Sequence, residues 1–121
     1  MTRLINVSLI ACLFLCLMSC GSNDAPVVTL TAPVDGAVLT ASDTLTISGT
    51  ATDDTGVTSI ILSSSTLSID GQNLASSTDT EVPFNVGLTL DGVIAGTYDI
   101  IVTATDEDGD TGESQVSFDV Q

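Results

Sequence analysis

Acidic side chains are the groups of this sequence that could bind a ligand, and many of them lie in two short segments. Asp53 and Asp54 belong to the first segment, and Asp106, Asp108 and Asp110 belong to the second. Calcium takes about six to eight oxygen ligands, mostly from carboxylates and from backbone carbonyls of loops. The five aspartates therefore predict a calcium site if the fold brings the two segments together.

The same residues are also typical of ordinary turns, because Asp and Gly suit turn backbones. The spacing of Asp106, Asp108 and Asp110 departs from the EF-hand pattern, since Thr111 stands where a glycine is required and no distal Glu follows. One argument favours an ion: carboxylates about 4 Å apart repel by about 1 kcal/mol per pair even in water. Two interpretations stay open, solvated turns or calcium ligands.

Charge excludes several classes of function. The chain has 121 residues, with 16 acidic residues against one basic residue, and its net charge is −15. The one cation is Arg3, so later residues cannot neutralise phosphates or clamp a transferred phosphoryl group. No His or Lys is present to act as a general base or form a Schiff base. We therefore expect neither nucleic-acid binding nor enzymatic activity.

The first 20 residues have the features of an export signal. Arg3 precedes an apolar run that extends from Leu9 to Met18. That run has the length of a signal-peptide core and is shorter than the roughly 20 apolar residues that a membrane-spanning helix needs. All three cysteines lie in this segment, so no disulfide is expected in the rest of the chain.

The sequence Leu17-Met18-Ser19-Cys20 resembles the lipobox of bacterial lipoproteins. By that resemblance residues 1–19 are a signal peptide that is removed. Residues 20–26 are then the lipidated Cys20, which carries chains such as palmitate, and a tether of residues 21–26. Gly21 rather than Asp follows the cysteine, which by analogy favours the outer membrane, on its periplasmic or outer surface. An ordinary secretory signal and an uncleaved anchor are the alternatives.

Residues 27–121 show period-two alternation without helical periodicity, which predicts a single all-β domain. About seven strands are expected, the immunoglobulin-like count for a Greek-key sandwich. Each predicted strand has one apolar face, as in residues 44–52, 57–64, 81–90, 97–105 and 115–120. Val28 and Leu30 mark the first strand, which ends at Pro33, and residues 37–39 continue it on the other sheet. Pro83 predicts an edge position for its strand, or an outward position where no backbone N–H is needed for pairing.

Residues 66–79 are the hardest to place. Asp70-Gly71 is a tight-turn dipeptide, which predicts a short strand over Leu67–Ile69 and a turn after it. The surrounding Ser/Thr-rich stretch, residues 63–80, is interpreted as a candidate recognition loop or a disordered insertion. Tyr98 opens the sixth strand after a turn, which predicts a tyrosine corner, or simply a core aromatic residue.

Three segments together resemble the immunoglobulin-like and cadherin-like domains of bacterial surface lipoproteins: VTLTAPVDGAVL, LTISGTATDDTGVTSIIL and GTYDIIVTATDEDGD. The resemblance covers about residues 26–120. Cadherin-like domains place calcium at the pole where the acidic loops and the preceding linker meet, and Asp24 is the linker acid here. With a tether of six residues, that pole is expected to face the membrane.

The resemblance implies a non-catalytic module of the cell surface or periplasm that binds a protein partner, mediates adhesion or has a structural role. The binding surface is expected on an exposed sheet edge or on the loops at Asp35-Gly36, Ser63–Asp79 and Asp91–Gly96. A carbohydrate-binding module is the alternative, although the aromatic residues of the domain are all predicted to point inward. Calcium is the one cofactor predicted, and the membrane is reached through Cys20.

Overall fold

The computed structural model describes residues 24–121 and contains only strands and connecting turns. The predictions on residues 1–23, which are the signal peptide, the lipidated Cys20 and residues 21–23 of the tether, lie outside the described residues. Within residues 24–121 no helix is long and apolar enough to cross a membrane. The strands are β1 (Val27–Ala32), β2 (Ala37–Leu39), β3 (Thr44–Thr52), β4 (Val57–Ser64), β5 (Ile69–Ser76), β6 (Glu81–Thr89), β7 (Gly96–Asp106) and β8 (Thr111–Val120).

The strands form two packed sheets, ordered β1-β3-β6 and β2-β8-β7-β4-β5. Consecutive strands change sheets from β3 to β4, from β5 to β6 and from β6 to β7, which is the connectivity of a Greek-key sandwich. β2 crosses from the sheet of β1 to pair in parallel with β8, as predicted for residues 37–39. The predicted all-β sandwich is confirmed, and counting β2 separately gives eight strands.

The core lies between the sheets and is built from the predicted inward faces. Its largest fully buried side chains come from both sheets and from the turn after β6: Phe118, Leu45, Ile47, Ile60, Leu62, Leu90, Ile100, Val57 and Val102. On β3 the buried positions alternate with exposed or half-buried Thr and Ser. That alternation fixes the register of β3 with its neighbouring strands, because a shift of one residue would turn the apolar side chains of β3 toward water.

The prediction for residues 63–80 is wrong. The chain turns at residues 65–68, where Ser68 has a φ of 57°, and residues 69–76 form β5, the edge strand of the five-stranded sheet. Asp70-Gly71 lies inside β5 as a bulge, because the two residues stand opposite Ser63 between two shifted pairs. Gly71 has a φ of 71°, which glycine adopts at no steric cost. This stretch is therefore mostly paired strand rather than a loop.

Two further structural predictions are confirmed. β6, which carries Pro83, is an edge strand of the three-stranded sheet. The Tyr98 hydroxyl donates a hydrogen bond to the carbonyl of Ile94, four residues upstream, which forms the tyrosine corner. The Tyr98 ring also stacks on Phe118 with a centroid distance of 5.9 Å, so this tyrosine joins the corner to the core.

Candidate functional site

Three turns and the N-terminal segment meet at one end of the sandwich. The Asp53 N–H donates to the Thr80 carbonyl at 2.9 Å, which brings the β3–β4 turn beside the β5–β6 connection. Val57 pairs with Asp106, which places the β7–β8 turn next to them. Pro26 lies against Gly112 at the start of β8. We call this end, residues 24–26, 53–56, 77–81 and 106–110, the acidic pole.

Asp53 closes the β3–β4 turn with one of its two carboxylate oxygens. Its Oδ2 accepts from the Thr55 N–H at 2.8 Å, the Thr55 hydroxyl at 2.6 Å and the Gly56 N–H at 3.0 Å. Gly56 follows with a φ of 124°, and an added Cβ there would lie 2.8 Å from the Thr78 carbonyl oxygen. The turn therefore depends on the Asp53 carboxylate as a hydrogen-bond acceptor. It also depends on Gly56, whose positive φ and close approach to Thr78 leave no room for a side chain.

Asp53 Oδ1, in contrast, is buried and has no hydrogen-bond partner within residues 24–121. The residue as a whole is 9% exposed. Nearly all buried polar atoms of proteins have a partner, which can be an ordered water or an ion. Among the buried side-chain nitrogen and oxygen atoms of residues 24–121, Asp53 Oδ1 is the one without a hydrogen-bond partner.

Asp106 repeats the closing role in the β7–β8 turn. It is 2% exposed, and its Oδ1 accepts from the N–H groups of Asp108 at 2.9 Å and Asp110 at 2.8 Å. The parallel segments 51–53 and 104–106 therefore end in an aspartate that organises the turn following it. This matches the interpretation of these residues as turn formers.

The five aspartates predicted as calcium ligands do lie at one pole, but they do not form a closed ligand set. Asp53 and Asp106 are buried, whereas Asp54, Asp108 and Asp110 are exposed. Among residues 24–121 no group of three or more acidic side chains has the spacing of a metal site. Calcium at these five residues stays a prediction.

A crevice opens beside Asp53 on the acidic pole. Its volume is about 420 Å³, and four carboxylates line it, those of Asp24, Asp53, Asp54 and Glu81. Glu81 was not predicted as a site residue. It opens β6, where it pairs with Thr52, the residue before Asp53. This strand pairing is a tertiary contact, and the hydrogen bond from Asp53 to Thr80 extends it. No local sequence signal marks that contact.

Exposed large apolar side chains lie mainly in the half of the domain away from the acidic pole. Val34 is 73% exposed, Val38 56% and Ile94 79%. Val38 pairs with Asp119, and Ile94 lies just before Gly96, which pairs with Val120. We call Val34, Val38 and Ile94 the distal apolar group. Val27, at 60% exposure, is the large apolar residue exposed at the acidic pole.

The aromatic residues of the domain point inward, as predicted. Phe84 and Phe118 are buried, and Tyr98 is half-buried against the core. Sugar-binding surfaces of small sandwiches commonly rely on exposed aromatic rings that stack on the sugar. Residues 24–121 present no such platform, so nothing in the described surface favours the carbohydrate-binding alternative.

The hydrogen bonds to Asp53 predict a pH dependence of stability. The Thr55 hydroxyl, followed by the N–H groups of Thr55, Gly56 and Asp54, holds the pKa of Asp53 below its ordinary value of 3.8, and burial opposes this. Because the folded-state pKa is lowered, the stabilising effect is present above pH 3.8 and is lost as the pH falls through the folded value. We therefore expect the free energies of unfolding of wild type and Asp53→Asn, measured in urea, to differ at pH 7 and to converge as the pH falls through the folded-state pKa of Asp53.

Thr55→Val is the matched variant for this prediction, since it keeps the carboxylate and removes the donor with the largest effect. We expect this variant to reduce the change in the free energy of unfolding between pH 7 and acidic pH without abolishing it. If the free energy of unfolding of Asp53→Asn differs from that of wild type by the same amount at every pH, the loss of stability comes from packing rather than from ionisation.

Comparison with known proteins agrees with this architecture. Residues 26–102 match the family model of the bacterial Ig domain. The fibronectin(III)-like modules of Clostridium thermocellum CbhA are 26% identical, with a TM-score of 0.59 over 78% of this chain and 94% of that one. The PKD1 domain of Vibrio anguillarum Epp is 18% identical, with a TM-score of 0.50 over 83% of this chain and 98% of that one.

An engineered protein is 22% identical, with a TM-score of 0.58 over 83% of this chain and 21% of its own length. At this identity the likeness to it, as to the PKD1 domain, concerns the fold alone. No curated protein matches the chain.

Proposed function

We propose that this chain, which belongs to the bacterial Ig domain family, is a non-catalytic module of the bacterial cell envelope that binds a protein partner. Lipid attached to Cys20 holds it on a membrane, which we take to be the outer membrane. The acidic pole faces that membrane, because the N-terminal segment enters the domain there. The distal half then faces outward and carries the binding surface, for adhesion or for assembly with a larger complex.

The observation that carries this proposal is the position of the distal apolar group. Val34, Val38 and Ile94 are each more than half exposed on a domain whose surface is otherwise dominated by Thr, Ser and acidic side chains. Contiguous exposed apolar patches are typical of interaction sites, and we propose that these three side chains contribute to one such patch. They also lie at the end of the domain that a membrane anchor at Cys20 would leave accessible.

Charge narrows the kind of partner. Residues 24–121 contain 16 carboxylates and no Lys, Arg or His. Acidic side chains around an apolar contact favour a partner with a basic rim and increase its rate of association. We therefore expect a protein with an apolar centre and flanking Lys or Arg, and we expect the interaction to weaken as salt is raised.

Photo-crosslinking in intact cells tests this function. A benzoylphenylalanine placed at Ile94 should yield a discrete protein adduct, whereas the same probe at Val27, the exposed apolar residue of the opposite pole, should not yield that adduct. Val34→Ser with Val38→Ser in the Ile94-probe protein should reduce the yield several-fold. Equal adducts from both positions, or none from either, would contradict a distal binding surface.

A further inference from the structure

Four Asp-Gly pairs lie in the domain, and each has the atoms for one covalent rearrangement. The pairs are Asp35-Gly36, Asp70-Gly71, Asp91-Gly92 and Asp108-Gly109. The backbone nitrogen that follows an aspartate can attack the side-chain carboxyl carbon and close a five-membered succinimide ring. Glycine favours this attack, because it has no side chain to hinder the nitrogen and its backbone rotates freely. The fold then decides which of the four pairs can react.

Two of the pairs occupy the same place in turns of the same kind. Asp35-Gly36 is the centre of the turn Val34–Ala37, and Asp91-Gly92 is the centre of the turn Leu90–Val93. Each turn is closed by a hydrogen bond from its last N–H to its first carbonyl, at 3.0 Å and 2.9 Å respectively. The two glycines have nearly equal φ values, 80° and 82°. Such a turn leaves the N–H of its central peptide bond without a partner inside the turn.

The first of these turns is held from outside by β8. The Gly36 N–H donates to the Ser117 carbonyl at 2.8 Å, and the Ser117 N–H donates to Asp35 Oδ1 at 3.1 Å. The attacking nitrogen and the carboxyl group of that pair are therefore both engaged. The pairs outside these two turns are held as well. The Gly109 N–H donates to a carbonyl of its own turn at 3.3 Å, and the pair in β5 lies between residues that pair with β4.

Asp91-Gly92 lacks such restraints. Both residues are exposed, and neither the Gly92 N–H nor the Asp91 carboxylate has a hydrogen-bond partner within residues 24–121. A pair that has no hydrogen bond to break can reach the reactive geometry by local motion of its turn. The held pairs must first open, which lowers the fraction of time in which they can react.

We propose that Asp91 is the site at which this domain isomerises spontaneously to isoaspartate. The Gly92 nitrogen attacks Cγ of Asp91 and loses its proton, the N–Cγ bond forms, and the carboxyl oxygen leaves as water. Water then opens the succinimide at either carbonyl. Attack at Cγ restores aspartate, whereas attack at the backbone carbonyl carbon breaks its bond to the nitrogen and leaves that carbon as the free carboxylate. In this second product the chain runs through Cβ and Cγ, so the backbone gains one methylene group and the mass is unchanged.

The longer backbone changes the segment that leads into β7. The Ile94 carbonyl accepts the hydrogen bond from the Tyr98 hydroxyl, and the Ile94 side chain belongs to the distal apolar group. Isomerisation at Asp91 therefore alters the tyrosine corner and the proposed binding surface together. The reaction itself does not depend on the proposed function.

Ageing the folded full-length protein in detergent, at physiological temperature and mildly acidic pH, tests the site. The aged protein is then unfolded in urea and digested with endoproteinase Asp-N, which cleaves before aspartate and not before isoaspartate. Cleavage before Asp91 should be lost about tenfold or more faster than cleavage before Asp35, since two hydrogen bonds hold the Asp35-Gly36 pair. Ageing in urea from the start should remove this difference, because the unfolded chain holds neither pair.

Asp91→Glu is the matched variant, because glutamate keeps the charge but would have to close a less favourable six-membered ring. The fluorescence of Tyr98, the only tyrosine in a chain without tryptophan, should change as the wild type ages and stay constant in this variant. The same fluorescence change in both proteins would contradict the assignment to Asp91.

Two results of the digestion would overturn the proposal. One is conversion in the folded protein that is as fast at any of the other three Asp-Gly pairs as at Asp91, which would show that the hydrogen bonds do not decide the site. The other is an unchanged Asp91 in the folded protein over a time in which the protein aged in urea converts, which would show that the folded turn also protects this pair.

Discussion

Replacing Gly49 with alanine is expected to destabilise the domain by about 3 kcal/mol or more. This is a large part of its free energy of unfolding, which is roughly 5–15 kcal/mol for such a domain. Gly49 is buried in β3, between β1 and β6. An added Cβ would lie 2.2 Å from the Thr29 carbonyl oxygen and 2.8 Å from Cζ of Phe84. The first of these atoms is backbone, so β1 as a whole would have to move.

Gly87→Ala is the matched control, in the neighbouring strand β6 of the same sheet. Gly87 is exposed, and its added Cβ would meet only the end of the Thr44 side chain, at 3.2 Å. We expect this variant to stay within about 1 kcal/mol of wild type in urea unfolding, because only a side chain must adjust. Equal unfolding midpoints for the two variants would show that β1 does not pack on β3 as described.

Much of the fold could be predicted because most strands are exposed on one face only. β3, β7 and β8 alternate buried and less buried positions throughout their apolar halves, so the inward residues could be read directly from the sequence. Phe118 and Ile100, both predicted inward, are fully buried. Period-two patterns of this kind arise wherever one sheet face meets a core.

β5 could not be predicted because it lacks that contrast. It is an edge strand, mostly exposed on both faces, and two register shifts in its pairing with β4 interrupt the alternation. The Asp70-Gly71 dipeptide suits a bulge as well as a turn, since both place glycine at positive φ. Whether this dipeptide forms a bulge or a turn depends on whether β4 is available for pairing, and that is a property of the tertiary structure.

The sequence predicted where the candidate site lies but not all of the residues that form it. The repeated Ala-Thr-Asp segments indicated two acidic turns, and the fold places both at the acidic pole. Asp106 could equally have pointed toward a shared ion, but its carboxylate accepts hydrogen bonds from its own turn. Glu81 lies beside Asp53 because it pairs with Thr52 across β3 and β6, and no sequence pattern indicated that these two strands are neighbours.

Replacing Cys20 with serine is expected to move the protein completely from the membrane fraction to the soluble fraction. A serine hydroxyl cannot form the thioether to diacylglycerol, and each buried CH₂ of an acyl chain stabilises membrane attachment by about 0.8 kcal/mol. Cys16→Ser is the matched control, because Cys16 precedes the predicted cleavage site and should leave with the signal peptide. Membrane retention of Cys20→Ser would instead indicate an uncleaved anchor.

We propose that this immunoglobulin-like module is held at a membrane through Cys20, and the intact mass of the protein extracted from membranes in detergent tests this most directly. We expect a chain that begins at Cys20 and carries the added mass of a diacylglycerol, with or without a further acyl chain on its amine. A chain that begins at any other residue, or that begins at Cys20 without lipid, would contradict it.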